Sequence, residues 1–130
     1  MKSTKIIIKT KSKNYPIYLG DKIINYTGIL IKKNLPSVKK ICILYDKKLP
    51  NVFLRNLTKS LKKYEIFTFK LASSEKIKTF KVAYKITEKL LKKNFNRSDC
   101  VISLGGGILG DLTAFVASIT KRGIKFINIP

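Results

Sequence analysis

The order of apolar and polar residues predicts a list of elements before any chemistry is considered. Two short runs, Lys5–Thr10 and Tyr15–Leu19, flank the polar stretch Lys11-Ser12-Lys13-Asn14 and read as a β-hairpin. Gly20-Asp21 ends it. Asp21 is placed to cap a helix reaching about Lys33, in which Ile23, Tyr26, Leu30 and Ile31 recur at helical spacing. Strands and helices then alternate. Ile41–Tyr45 ("ICILY") is continuously apolar, as a strand covered on both faces would be. Pro50 precedes a helical segment from about Asn51 to Lys63, and Glu65–Leu71 alternates Phe67, Phe69 and Leu71 on one face.

A long helix follows from about Ile77 to Lys93, its stripe formed by Phe80, Ala83, Tyr84, Thr87, Leu90 and Leu91. "CVISL" is the next strand, "DLTAFVASITKRG" the next helix and "IKFINI" the last strand. This βα alternation predicts an α/β fold: a Rossmann-like, mostly parallel sheet with helices on both faces, preceded by the hairpin. At 130 residues the chain holds one domain, residues 1–130, with enough core to need neither disulfide nor metal. A strand ending at Ile129-Pro130 with no helix to cover it is the pattern of a fragment from a longer protein.

Charge changes the picture less than its size suggests. The formal net charge is +21, a balance that favours nucleic acid or anionic membranes as partners. Yet only Arg55, Arg97 and Arg122 are arginines among 28 Lys+Arg, and phosphate and base recognition favours the planar Arg fork. The lysines are scattered as pairs, such as Lys32-Lys33, Lys62-Lys63 and Lys92-Lys93, and the aromatics fall in core-facing patterns. Solvated faces and AT-rich codons account for this composition, and no nucleic-acid partner is expected. Cys42 and Cys100 each sit in an apolar run without C-x-x-C spacing and read as buried reduced thiols. The opening "MKSTKIIIKTK" has too short an apolar core for a signal peptide, and no stretch approaches a membrane span. A cytosolic protein without a membrane partner is expected.

The chemistry concentrates in "SLGGGILGD". Gly105, Gly107 and Gly110 satisfy G-x-G-x-x-G directly after a strand and at a helix start. Glycine there lets a phosphate approach the main chain, whose free N–H groups and helix dipole favour an anion. The loop follows the third strand of the alternation instead of the first, and nothing acidic stands about 20 residues later, unlike the ordinary dinucleotide fingerprint. Asp46, just past "ICILY", is an earlier carboxylate able to take a ribose hydroxyl; it is equally able to serve as a turn residue. Asp111 has two readings as well, a helix cap or a partner for a hydroxyl or amide of the ligand.

At this point the segment "GGGILGDLTAFVASITKRGIKFINIP" resembles the 3-dehydroquinate synthase family, whose motif runs close to G-G-G-V-x-G-D-L-x-G-F-x-A-A-x-Y-x-R-G-I-x-F-I-x-I-P. Upstream, "NYPIYLGDKI" resembles that family's hairpin and "ILYDKKLP" the strand that presents a carboxylate to the adenosine ribose. The resemblance covers nearly the whole chain and implies the family's N-terminal, NAD-binding domain. It implies cofactor contacts at Asp46 and at Gly105, Gly106, Gly107, Ile108, Leu109, Gly110 and Asp111. The family's D-G-E-x-x-K stretch falls on Ser73, Ser74, Glu75, Lys76, Ile77 and Lys78, so that Ser73 and Ser74 replace its leading Asp and Gly. Arg122 matches an arginine that reaches the neighbouring subunit's substrate phosphate, which implies a homodimer. The bland role for Lys121 and Arg122 is to complement a helix C-terminus, with Gly123 as its left-handed cap.

The resemblance further implies conversion of a small sugar acid phosphate, 3-deoxy-D-arabino-heptulosonate 7-phosphate, to 3-dehydroquinate and phosphate in aromatic amino acid biosynthesis. The family's divalent metal, zinc or cobalt, is held by one Glu and two His of a C-terminal helical domain that this chain lacks, and the chain has no histidine. No metal site and no catalytic residue are therefore expected within residues 1–130, and no activity from this chain alone. Two other readings share the sequence features: another sugar phosphate cyclase or metal-dependent polyol dehydrogenase, and a non-catalytic basic binding module.

Overall fold

The computed structural model describes residues 2–130. Strands β1 (Thr4–Lys9) and β2 (Asn14–Leu19) pair antiparallel as the expected hairpin, with Ile6 opposite Ile17 and Ile8 opposite Tyr15. This ribbon is a sheet of its own. The helix expected from Asp21 is divided into a 3₁₀ turn, Ile23–Tyr26, and α1, Thr27–Asn34. Asp21 does not cap it: the preceding position is Lys22, in a left-handed conformation with no side-chain cap, and the Thr27 hydroxyl donates to Ile24 O (2.8 Å) where the two pieces join.

The remaining elements alternate as the pattern predicts: β3 (Lys40–Asp46), α2 (Asn51–Ser60), β4 (Glu65–Leu71), α3 (Phe80–Lys92), β5 (Cys100–Leu104), α4 (Gly107–Ile119) and β6 (Lys125–Ile129). The four strands β3 to β6 form one sheet in the order β4-β3-β5-β6, and every pairing is parallel. Strand parity divides the core in two. Ile41 and Ile43 of β3 join Cys100, Ile102 and Leu104 of β5 under α1 and α2, with Ile31, Leu57 and Leu61. Cys42, Leu44 and Val101 pack on the other face with Ala83, Ile86 and Leu90 of α3 and Leu109, Leu112 and Val116 of α4. Each face is apolar because each is covered.

The order of strands explains which helix goes where. The chain steps from β3 to β4 in one direction, then crosses back over β3 to lay down β5 and β6 in the other. Right-handed crossovers then demand helices on opposite faces, and α2 lies on one face while α3 and α4 lie on the other. The reversal falls between β3 and β5.

Those two strands are pinned at their amino ends by Asp99, a carboxylate only 1 % exposed. It accepts the N–H groups of Lys40 (2.9 Å) and Asn96 (3.0 Å), while its own carbonyl accepts from Lys125 N–H (3.0 Å). One residue thus ties β3, the turn before β5 and β6 together.

The long helix departs from expectation at its start and in its stripe. It begins at Phe80, capped by Thr79, whose hydroxyl accepts from Val82 N–H (3.2 Å), and a separate 3₁₀ turn covers Glu75–Ile77. The buried line is Ala83, Ile86 and Leu90, whereas Phe80 (81 % exposed), Tyr84 (67 %) and Leu91 face outward. The sequence holds two apolar lines at helical spacing, and the packed one includes the small Ala83. Phe115 and Phe53 are likewise exposed, so the premise of core-facing aromatics fails at these positions.

Cys42 and Cys100 are free and buried, on opposite faces of the sheet. Burial raises the Cys42 thiol to about 12, and burial followed by the nearby Asp99 charge raises Cys100 further. A raised thiol pKa means stability that is complete below the unfolded thiol's value and lost as pH climbs toward the folded one. Thermal stability should therefore fall from about pH 9 upward, and less so in a Cys42→Ala variant followed by the same melts. Both thiols should be silent to a disulfide reagent in the native chain and react fully in denaturant. Asp99→Ala, which leaves buried N–H groups without an acceptor, should cost about 3 kcal/mol in urea unfolding.

Candidate functional site

Ligands of open α/β sheets gather beyond the carboxyl ends of the strands, where the order reverses. In this chain that crevice lies between the ends of β3 and β5, and the candidate residues converge on it. Asp46 is the last residue of β3, and Gly105 follows β5 directly. A Cβ on Gly105 would stand 3.5 Å from Asp46 Cβ, so the two residues adjoin across the crevice. Asp46 pairs in register with Leu71 of β4, and the segment from Ser73 to Lys78 starts two residues beyond, at the same edge.

The four glycines meet different constraints. Gly105 has φ +155°, and a Cβ there would come within 2.9 Å of Leu109 Cδ2, so the turn itself requires glycine. Its N–H donates to Ile129 O (3.1 Å), which fastens the loop to β6. A Cβ on Gly110 would meet the Asn128 carboxamide at 3.2 Å, so this glycine lets α4 lie close on the last strand. Gly106 and Gly107 are unlike both. Neither has a positive φ, and a Cβ at either would touch nothing within 4 Å. Neither the backbone nor the protein's own packing calls for glycine at these two positions; bare backbone facing open space is what an approaching ligand requires.

Helix α4 begins inside this loop, at Gly107, four residues before the expected Asp111. Its first N–H groups, of Gly107, Ile108 and Leu109, have no acceptor within the helix, and no side chain caps it. The partial positive charge of that end adds to the lysine-rich field of the chain. The arrangement is a cradle able to receive an anion.

Asp111, the fifth residue of the helix, therefore caps nothing. Its carboxylate holds the Lys78 ammonium at 3.2 Å, and that hydrogen bond, followed by the Glu75 charge, raises the lysine's pKa. The pair links the Ser73–Lys78 segment to α4. Ser74 adopts extended backbone (φ −157°, ψ 164°), a conformation that serine takes without strain, so nothing at this position demands the family's glycine. Asp46 makes a turn: its Oδ1 accepts from Lys48 N–H (3.0 Å) and its carbonyl from Leu49 N–H (3.0 Å). The turn use leaves Oδ2 for another donor.

Other members of the sequence-derived set contribute less directly. Leu109 is fully buried, Ile77 packs against the same core, and their side chains face the protein. Glu75 and Lys76 are exposed in the 3₁₀ turn. Arg122 is not brought to the crevice at all. It follows α4 at the opposite end, and 13 helical residues separate it from the cradle by about 20 Å. Gly123 is not the left-handed cap either: Lys121 (φ 50°) and Arg122 (φ 62°) take that conformation, while Gly123 has φ 115° and ψ 118°.

Sequence reasoning missed Thr79, Phe80 and Phe115, which with Lys78, Asp111 and Leu112 line a cleft of about 320 Å³ beside the cradle. It also missed Asn128; the one legible signal was an amide in the otherwise apolar end of "IKFINI". Among the described residues no group of three or more His, Cys, Asp or Glu side chains is placed to hold a metal ion, and no helix is long and apolar enough to cross a membrane.

Fold and site together define a doubly wound parallel α/β domain with an open, glycine-rich helix start at its switch point. Residues 68–130 match the family model described as 3-dehydroquinate synthase N-terminal. Over 126 residues the chain is 40% identical to the 3-dehydroquinate synthase of Pelagibacter ubique strain HTCC1062, with 97% of this chain and 34% of the relative covered. It is 35% identical to that of Bacillus mycoides strain KBAB4, covering 96% of this chain and 35% of the relative. These matches bear out the resemblance to the 3-dehydroquinate synthase family drawn from the glycine loop. The chain spans about a third of the length of the curated relatives it matches.

Solved structures show the same fold. A 2-deoxy-scyllo-inosose synthase superposes with TM-score 0.85 at 18% identity, over 98% of this chain and 36% of that one. A 2-epi-5-epi-valiolone synthase from Streptomyces hygroscopicus subsp. jinggangensis 5008, solved with NAD+ and Zn2+ bound, superposes with TM-score 0.62 at 19% identity, over 73% of this chain and 28% of that one.

The contrast among the glycines is directly measurable. Gly105→Ala should destabilise the chain by about 1–3 kcal/mol through its strained φ, whereas Gly106→Ala and Gly107→Ala should leave the melting temperature within a degree or so of the parent's.

Proposed function

We propose that this chain, residues 1–130, is the NAD-binding N-terminal domain of a 3-dehydroquinate synthase. The observation that carries this reading is the open main chain at Gly106 and Gly107, set at the uncapped start of α4 and at the switch point of the sheet. The pyrophosphate of NAD receives the free N–H groups of that first turn. Asp46 accepts the adenosine ribose hydroxyls with the oxygen its turn leaves free. Ser73 and Ser74 hydrogen-bond at the neighbouring edge. Asp111, its charge balanced by Lys78, accepts a hydroxyl or amide farther along the cofactor. A related 2-deoxy-scyllo-inosose synthase, solved with carbaglucose-6-phosphate, NAD+ and Co2+, supports the cofactor assignment.

The reaction proposed for the full-length protein is elimination of phosphate from 3-deoxy-D-arabino-heptulosonate 7-phosphate and closure to 3-dehydroquinate, a lyase step of the shikimate pathway in the cytoplasm. NAD, when bound, supplies reversible oxidation of the carbon next to the proton that is lost. The zinc or cobalt of the family does not fit this chain, which has no histidine. Its ligands, a Glu and two His, belong to the C-terminal helical domain of a longer parent, and residues 1–130 alone are inactive. The parent is a homodimer in which Arg122 serves the substrate phosphate of the other subunit; its distance from the cradle of its own chain supports this role. Other sugar phosphate cyclases share the fold, but the sequence relatives at 35–40% identity favour the dehydroquinate reaction.

Calorimetry with NAD+ tests the cofactor assignment. The chain should bind it, Gly107→Val should weaken binding at least tenfold, about 1.4 kcal/mol, and the melting temperature without ligand should not change. Absence of binding at millimolar NAD+ overturns the assignment. Phosphate release from the sugar acid phosphate by residues 1–130 with zinc and NAD+ should be undetectable; turnover would refute the claim that this chain is inactive alone.

A further inference from the structure

Lysine pairs that lie scattered along the sequence are gathered by the fold. The helices run against the direction of the parallel strands, so their carboxyl ends come down at the edge where the strands begin. Lys32-Lys33 end α1, Lys62-Lys63 follow α2 and Lys92-Lys93 end α3, and all three pairs are exposed. Between them Lys39 leads into β3, Arg97 stands in the turn before β5 and Lys125 opens β6. In sheet order the strand starts are Glu65, Lys40, Cys100 and Lys125, a row about 15 Å wide at the usual strand spacing. The glycine cradle lies at the opposite edge.

Local needs account for little of this charge. The carboxyl ends of α1, α2 and α3 together carry about −1.5 elementary charges, less than one basic pair supplies. Glu88 engages Lys92 at 3.4 Å, and the Lys40 ammonium donates to Asn94 O (3.0 Å). Asp99 is buried and its oxygens are taken by main-chain N–H groups, which leaves Glu65 as the exposed carboxylate of the row. Among the described residues, no other cation of this edge has a carboxylate within salt-bridge distance.

The chemistry of the edge selects the partner. Its cations are spread along the row instead of converging on one point, so a small anion meets one or two of them and a polyanion meets them all. Nearly all are lysines, point charges that suit phosphate and lack the fork with which arginine reads bases. Phe95 is fully buried and Tyr64 packs on the core, so the bases of a single strand find little here to stack on. A cleft of about 180 Å³ in the same edge, walled in part by Ser37 and Lys125, gives one phosphate a seat beside a hydroxyl and a cation. We propose that the amino edge of the sheet docks the phosphate backbone of a double-helical nucleic acid without regard to its sequence. Over about 15 Å of duplex axis each strand presents about four phosphates, which sets the size of the contact.

Fluorescence anisotropy of a labelled DNA duplex of about 20 base pairs tests this surface. At about 50 mM salt the chain should bind with a micromolar Kd, duplexes of unrelated sequence should agree within about threefold, and log K should fall with log salt at a slope of about −4. Lys39→Glu, Lys63→Glu and Lys93→Glu together should weaken binding about tenfold more than Lys9→Glu, Lys11→Glu and Lys13→Glu, which remove the same charge from the hairpin. All these side chains are exposed, so the melting temperatures should stay near the parent's. Should the first set fail to fold, the milder Lys33→Gln, Lys62→Gln and Lys92→Gln should still make the salt slope shallower by about two. NAD+ calorimetry should read the same in the edge variants as in the parent, because the cradle lies at the far edge. No binding to the duplex, equal losses in the edge and hairpin sets, or a tighter hold on phosphatidylserine vesicles or on polyglutamate than on the duplex would each overturn the proposal.

Discussion

The placement of β3 against β5, two strands separated in the chain by α2, β4 and α3, is the constraint on which the rest depends. It forces the reversal of strand order, puts α3 and α4 on the face opposite α2, and opens the crevice where Asp46 and Gly105 adjoin. Asp99 secures that neighbourhood from the far end by gathering N–H groups from both sides of the pairing. Had β4 been inserted between β3 and β5, Asp46 and the glycine loop would stand two strand spacings apart, about 10 Å, too far to share one nucleotide's ribose and phosphates so closely.

The electrostatics of the site stand out against the composition. Only seven carboxylates oppose 28 cations, yet Asp46, Glu75 and Asp111 all lie at the carboxyl edge of the sheet. The overall positive field favours anions over the whole surface, and these three carboxylates interrupt it locally. Asp46 keeps one oxygen for a hydroxyl donor, and the Asp111 charge is offset by Lys78. On the proposed reading, backbone N–H groups, which carry no side-chain entropy, hold the phosphates of the dinucleotide.

Much of this was legible in the sequence because it rests on periodicity and on glycine. The strands "ICILY" and "CVISL" carry apolar residues on both parities, and the structure covers both their faces. The glycine loop was legible as bare backbone at a helix start, and the structure leaves Gly106 and Gly107 open there, directly beyond β5. What could not be read depended on partners distant in sequence. Asp111 looked like a cap because the helix start was hidden in the glycines, which carry no apolar signal. Phe80 and Tyr84 looked like core because an apolar line on a helix does not say what it packs against, and Ala83, Ile86 and Leu90 formed a second line that fits closer to the sheet. Asp99 gave no signal at all, for a single carboxylate before a strand is as often a turn residue.

Helix α4 joins the glycine loop to the rest of the fold, because its two ends and its two faces have separate surroundings. The inner face, through Leu109, Leu112 and Val116, is core; the start supplies the cradle; the outer face carries Phe115 and Ile119; and the end throws Lys121 and Arg122 outward. The glycine start and the Lys121-Arg122 end are therefore rigidly spaced by one helix, whose rise per residue fixes their separation. A displacement of α4 on the sheet would move both together. The close seat of Gly110 against Asn128 marks where α4 rests on β6: a Cβ at residue 110 would stand 3.2 Å from the Asn128 amide oxygen, so either that carboxamide or the start of α4 would have to give.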